Sequence, residues 1–331
     1  MRDVAALAGV SLTTVSRVIN GTPTVDPALT DQVQRAARVL NYKPNLAARI
    51  LRRGDRRTMM IGLMLEDIAN PYSSTLYRAA EDVARRLGVG QLAGSIGEDP
   101  LRERELAAAL LVRRVDGLLI VPTGHDHSYL INEMKLGTAV VFVDRSPRYL
   151  PADAVASDHR AGSAEGVRHL IEHGHRRIAY LGDLSTISTA QERFAGFQDA
   201  LSEASLGLDY HLVRHDLRTI EAAEAAATDL LTGSSPPTAL FSGQNLVTIG
   251  TFRALRAAGL QHRTALVGFD DFPLADLLEP GVTVIAQDPA SIGKLATEIL
   301  FRRIDGDTSP VQDHIVPTRL IERASGAIPP S

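Results

Sequence analysis

Two hydrophobic periods divide this chain. Up to about residue 51 the apolar residues recur at helical spacing. Asp3 to Ala8 reads as one or two helical turns with Val4, Leu7 and Ala8 on one face. Gly9, Val10 and Ser11 make a tight turn, and Leu12 to Ile19 resumes a helix with Val15, Val18 and Ile19 inward. Asp26-Pro27 opens a third helix, Asp as N-cap and Pro at the first helical position, running to about Leu40 on a stripe of Val33, Ala36, Ala37 and Leu40. Pro44 forces an extended residue before it, Asn45 can cap a short helix over Leu46 to Leu51, and RRGDRR at 52–57 is a charged linker.

From Met59 the period changes. Short solid apolar runs, Ile61–Leu65, Gly117–Val121, Ala139–Val143, Arg177–Leu181, Thr238–Phe241 and Ala265–Phe269, predict buried strands. Helical stretches lie between and around them at 73–87, 101–113, 160–173, 190–204, 219–232, 245–258 and 290–304. Such alternation predicts parallel sheets covered by helices on both faces. Ligands in these folds bind beyond the carboxyl ends of the strands. Glu66-Asp67, Asp144-Arg145, Gly243-Gln244-Asn245 and Asp270-Asp271 all fall there.

Two short helices joined by a Gly-containing turn form a helix-turn-helix, whose second helix presents its first residues to base edges in the major groove. The charge agrees. Residues 1–57 hold ten Lys/Arg against four Asp/Glu, a net of +6, while the rest of the chain is −10. A basic head on an acidic body predicts a nucleic-acid contact at one end. Most of these basic residues are Arg, whose planar fork suits phosphate and guanine.

Composition narrows the remaining chemistry. With 331 residues the chain suits two or three domains. It has no cysteine, which excludes disulfides, thiolate metal sites and cysteine nucleophiles. No apolar run approaches the roughly 18 residues of a membrane span, and the charged start predicts no signal peptide and a place in the cytoplasm. Gly88 to Ala93 fits a dinucleotide fingerprint on paper, but it follows a helix and opens none. His173 and His175 flank Gly174 at a helix end with no third metal ligand in view. Walker, GxSxG and HExxH strings are absent, so no catalytic residue, metal or cofactor is expected.

The strings DVAALAGVS, TVSRVING and NYKPNLAARIL resemble the DNA-binding headpiece of the lactose-repressor (LacI/GalR) family of bacterial transcription regulators. NPYSS at 70–74, RRVDGLLIVP at 113–122, VFVDR at 141–145, GHRRIAYLGD at 174–183, ERFAGFQDAL at 192–201 and VGFDD at 267–271 resemble that family's effector domain. The resemblance implies an all-α helix-turn-helix headpiece over 1–44 and a hinge helix with linker over 45–58. It implies an α/β effector domain over 59–331, similar to periplasmic binding proteins. Its two parallel-sheet subdomains would span about 59–157 with 287–312, and 158–286 with 313–331.

The same resemblance implies site residues. Leu12, Thr13 and Arg17 would face the major groove, Thr14 and Ser16 would reach phosphates, and Asn20 would belong to the same DNA-binding set. Leu51 would wedge between base pairs from the minor groove, kinking the duplex, with Asn45, Ala48 and Arg52 close by. In the effector cleft Tyr72 and Ser73 would line one wall, Arg193 would grip sugar hydroxyls or a carboxylate, Asp270 would accept from hydroxyls, and Asp158, Gln244 and Gln287 would complete the ring. Two departures stand out: Gln244-Asn245 replaces the family's usual Asn-Asp, and Gly88 to Gln91 replaces a clearer strand.

These readings converge on a repressor whose affinity for a palindromic operator is set by a sugar-like effector, a purine also being open. The expected assembly is a homodimer, with a tetramer left open. The rivals are a solute-binding protein of transport, which needs no basic head, and a small-sugar or nucleotide enzyme, which needs a nucleophile–base pair or metal cluster.

Overall fold

The computed structural model describes residues 1–19, 25–42, 57–124 and 126–330. They fall into two units, Met1–Thr58 and Met59–Ser331. Asn20, Asn45, Ala48, Leu51 and Arg52, with the expected hinge helix, lie outside the described residues.

The first unit holds helices α1 (Arg2–Leu7), α2 (Leu12–Ile19) and α3 (Pro27–Val39). Its core is Val4, Ala8, Val15, Val18, Val33 and Ala36. Leu7, expected inside, is 54% exposed, and Leu40 is exposed too. On so short a helix the Val4–Ala8 row, one turn apart, takes the inward face, and Leu7 lies to its side. Gly9 adopts φ +60° where α1 ends, a left-handed conformation that glycine takes without steric cost. Asp26 caps α3, its carboxylate accepting from the Ala28 N–H at 2.7 Å.

The second unit builds two sheets. The first contains β1 (Met60–Leu65), β2 (Gly90–Ser95), β3 (Gly117–Ile120), β4 (Ala139–Val143), β5 (Asp153–Ser157) and β11 (Asp313–Val316) in the order β11-β5-β4-β3-β1-β2, every pairing parallel. Helices α4 (Pro71–Arg86), α5 (Pro100–Val112) and α6 (Ile131–Lys135) connect its strands. The second sheet contains β6 (Ile178–Leu181), β7 (Val213–Arg214), β8 (Ala239–Ser242), β9 (Ala265–Phe269), β10 (Thr283–Ala286) and β12 (Arg319–Ile321), ordered β12-β10-β9-β8-β6-β7. Only β12 runs antiparallel to its neighbour. Helices α7 (His159–Glu172), α8 (Ser188–Glu203), α9 (Ile220–Thr232) and α10 (Asn245–Ala257) serve this sheet, and α11 (Pro289–Ile304) returns to pack on α4 beside the first.

The chain thus crosses between subdomains three times, after Ser157, Ala286 and Val316. The sequence reading set the last division at 312/313, but Asp313–Val316 pairs with β5, so the crossing comes after that strand. The Gly88–Gln91 stretch likewise enters a strand, with Gly90 paired to Met60.

One buried network secures the first subdomain. Glu103, in the first turn of α5, is 2% exposed. Its carboxylate accepts from the Thr123 N–H, the Thr123 hydroxyl and the Tyr129 hydroxyl, each at 2.8 Å. His127 Nδ1 accepts from the Arg148 N–H, so Nε2 carries the proton facing Glu103 at 3.6 Å. Burial works to raise this carboxyl, and the donors overrule it, bringing it to about 2. Glu103→Leu orphans several buried donors and is expected to cost on the order of 3 kcal/mol at neutral pH. A depressed carboxyl stabilises the fold above its ordinary value of 4.5, and the contribution is lost as pH falls toward about 2. Urea midpoints should therefore differ widely between wild type and variant at pH 7, and by less at pH 3.

Candidate functional site

In the first unit α2 offers an outward face. Leu12 is 48% exposed, and Thr13 and Arg17 are exposed beside it, while Val15 and Val18 anchor the opposite face. Thr14 and Ser16 are half-buried, and the Thr14 hydroxyl bonds that of Ser11 at 2.9 Å. This face offers an apolar group, a hydroxyl and a guanidinium fork, the types that read thymine methyls, either base edge, and guanine.

In the second unit the carboxyl ends of the two sheets face each other across a cleft. Its centre gathers Tyr72, Ser73, Arg193, Gln244, Asp270 and Gln287 with Asp144 and Arg145. Of the expected effector residues only Asp158 is not among them; its carboxylate caps α7, accepting from the Ala161 N–H at 3.0 Å.

Arg193 is placed by α8, which packs against α7 through Gly196. A Cβ at that position would strike the Arg160 carbonyl. The buried guanidinium donates to the Gly243 carbonyl at 2.7 Å and to His159 Nδ1 at 3.3 Å. It lies 3.6 Å from Asp270 and over the Phe269 ring, 4.1 Å from its centroid. A cation so held is desolvated and fixed in direction. Asp270 also accepts from the Gln287 amide. Burial pushes the Asp270 carboxyl above its ordinary range, with Arg193 and Gln287 opposing in part.

Asp144 mirrors Asp270. Each is the first residue after a strand, β4 and β9, and each adopts φ +70°. Each donates its N–H to the adjacent strand, Asp144 to Val155 and Asp270 to Ile285. A non-glycine residue in the left-handed region is uncommon, and Asp tolerates it better than most. Asp144 meets Arg145 at 3.2 Å and accepts from the Tyr72 hydroxyl at 3.1 Å. Burial works to raise its carboxyl, yet neighbouring Arg145 holds it below the ordinary range. Burial, reinforced by Asp144, keeps the Tyr72 phenol protonated well beyond neutral pH.

The cleft is closed at its edge. Asn70 and Asn245 exchange amide hydrogen bonds at 3.0 and 3.4 Å, and Arg218 pairs with Glu66 at 2.8 Å. Asn70 also caps α4, which places Tyr72 in the first turn. Gln244 is the N-cap of α10, its side chain accepting from the Leu246 and Val247 N–H groups. Asp144 and Arg145 were visible only as a polar pair after a strand, the same signal that marks Asp270. His159 and Asn70 gave no signal in the sequence beyond helix-start chemistry.

His175 places both ring nitrogens against Thr238 and Ile328, at 2.9 and 2.8 Å. Among the described residues no group of three His, Cys, Asp or Glu gathers as a metal site. No helix among them is long and apolar enough to cross a membrane.

Comparison with known proteins bears on both units. The profile of bacterial regulatory proteins of the lacI family matches residues 1–45, and that of the periplasmic binding protein-like domain matches 167–326. The ribose operon repressor of Haemophilus influenzae is 32% identical over 306 residues, 92% of this chain and 91% of that protein. The structure of the transcriptional regulator CelR with cellobiose is 30% identical, covers 98% of each chain and superposes with a TM-score of 0.73. That of the Lac repressor dimer bound to operator and the anti-inducer ONPF is 26% identical, covers 98% of each chain and reaches 0.85.

Proposed function

The chain belongs to the lacI family of bacterial regulatory proteins, and from that premise we propose that it is a homodimeric repressor controlled by a small carbohydrate. Each headpiece reads one half of a palindromic operator through Leu12, Thr13 and Arg17, since a two-fold dimer mirrors a two-fold site. The effector binds at Tyr72, Ser73, Arg193, Asp270, Gln287, Asp144 and Arg145. It changes the closure of the two subdomains and, through that, DNA affinity; about 1.4 kcal/mol of coupling gives a tenfold response. The protein acts by binding and not by turnover, and in the cytoplasm.

The observation that carries this reading is one chain holding both an exposed recognition face and a cleft of paired cations and carboxylates. Fixed guanidinium donors beside carboxylate acceptors match hydroxyl groups, each of which donates and accepts. Relatives named for ribose and cellobiose support a carbohydrate.

Selection of bound sequences from a random DNA pool tests the first half and should return a palindrome. Arg17→Ala should then lower affinity for the selected site by about tenfold to a hundredfold, since a bidentate Arg–base contact is worth about 1–3 kcal/mol. Binding to random DNA should change little. Equal losses on both DNAs would place Arg17 on the phosphates.

A further inference from the structure

The cleft centre encloses about 40 Å³, room for little more than water. Small-molecule sites start at about 300 Å³. A ligand that reaches Arg193 and Asp270 therefore parts the two subdomains first. What holds them together sets how readily it enters.

Side chains cross from one subdomain to the other beside this centre, which Glu66 and Asn70 both line. Glu66 follows β1 of the first sheet, and Arg218 follows β7 of the second. Arg218 Nη2 donates to Glu66 Oε1 at 2.8 Å, and its Nη1 lies 3.7 Å from Asp183. Asn70, the cap of α4, meets Asn245, the first residue of α10. Their carbonyl oxygens also accept from the Tyr72 and Leu246 N–H groups, which ties each amide to its own helix.

Both arms of the ion pair are held by backbone. The Glu66 carbonyl accepts from the Gly97 N–H at 2.9 Å. On the other side the Asp216 carboxylate accepts from the Ser185 N–H and hydroxyl at 2.8 and 3.0 Å, and the Leu217 N–H donates to the Gly182 carbonyl at 3.0 Å. Arg218 is thus presented to Glu66 by a short loop tied to the end of β6. Glu98, the neighbouring carboxylate, is committed to Arg145 at 2.7 and 2.9 Å and does not substitute for Glu66. The paired side chains remain 20% and 30% exposed, so water takes over each charge when they part. Such a pair biases an equilibrium by about fivefold, the equivalent of about 1 kcal/mol, which an effector can overcome.

We propose that Glu66 and Arg218 form a clasp that holds the cleft shut and, on the reading of the cleft as the effector site, sets the threshold an effector must exceed to enter. The chain has no cysteine, so a single introduced thiol reports opening. Ser73→Cys puts that thiol at the cleft centre, where the serine is 4% exposed. Thr297→Cys puts a control thiol at a fully buried position on α11. The readout is the rate of reaction of each full-length protein with dithionitrobenzoate, which waits on local opening. Glu66→Gln and Arg218→Met should each speed labelling at position 73 about fivefold and leave position 297 unchanged. With both substitutions together, labelling should be no faster than with the faster single one, because the second removes nothing further. An unchanged rate at position 73, two effects that multiply, or an equal gain at position 297 overturns the clasp. No carbohydrate or DNA enters this measurement, so its failure leaves the carbohydrate reading standing, and the failure of that reading leaves the clasp.

Discussion

A fragment beginning at Met59 is expected to lose all preference for operator DNA while keeping its fold and its cleft. The two units have separate cores, Val4 to Ala36 in one and four apolar clusters in the other. The charge is divided the same way, +6 on residues 1–57 and −10 on the remainder. An acidic body repels the DNA backbone, so the fragment has no electrostatic substitute for the headpiece. The intact protein should bind with a steep salt dependence. If the dimer neutralises about 6–10 phosphates, affinity should fall by roughly 10³–10⁵ between about 50 and 200 mM salt. Anisotropy of labelled operator, with intact protein and fragment side by side over that range, checks both statements. A fragment that binds operator like the whole chain would move DNA recognition out of α2.

The second large effect is expected in the cleft. Arg193→Ala should leave operator binding intact and raise the effector concentration needed for response by about tenfold to a hundredfold, the equivalent of about 1.5–3 kcal/mol for a charge-assisted hydrogen bond. The guanidinium touches Gly243, His159, Asp270 and Phe269 at once, so its loss removes a donor and frees its neighbours to shift. At position 270 the informative substitution is Asn. The φ of +70° would strain Ala, whereas Asn tolerates it and keeps the shape while removing the charge. Asp270→Asn should weaken the response by a similar factor. The readout is the midpoint of operator release or capture against effector, with melting temperature followed in parallel. A double variant that still switches at the wild-type concentration would remove both residues from the site.

Legibility in the sequence mostly followed burial; Thr283–Ala286, buried throughout but only four residues long and opened by Thr, is the exception. Strands buried on both faces, such as Ala139–Val143 and Ala265–Phe269, show as solid apolar runs because nothing polar can face a helix layer. The edge strands Gly90–Ser95, Val213–Arg214, Asp313–Val316 and Arg319–Ile321 are only half-buried and carry Gly, Gln, Arg or Asp, so the pattern fades. Asp153–Ser157 lies inside its sheet yet reads DAVAS, small and polar, and escaped for that reason. In the cleft, strand-end position announced Asp270, and the same rule applies to Asp144. What could not be read was pairing across the chain, such as His159 with Arg193 or Asn70 with Asn245, because residues far apart meet there only after both sheets form.

The central claim is that occupancy of the cleft governs the hold on DNA. It is tested most directly by titrating carbohydrates into the full-length protein bound to its selected palindrome, with Arg193→Ala measured alongside. The account predicts that at least one carbohydrate changes operator affinity tenfold or more, and that Arg193→Ala shifts the midpoint to much higher concentration. A carbohydrate that binds the cleft by calorimetry and leaves operator affinity unchanged would contradict it.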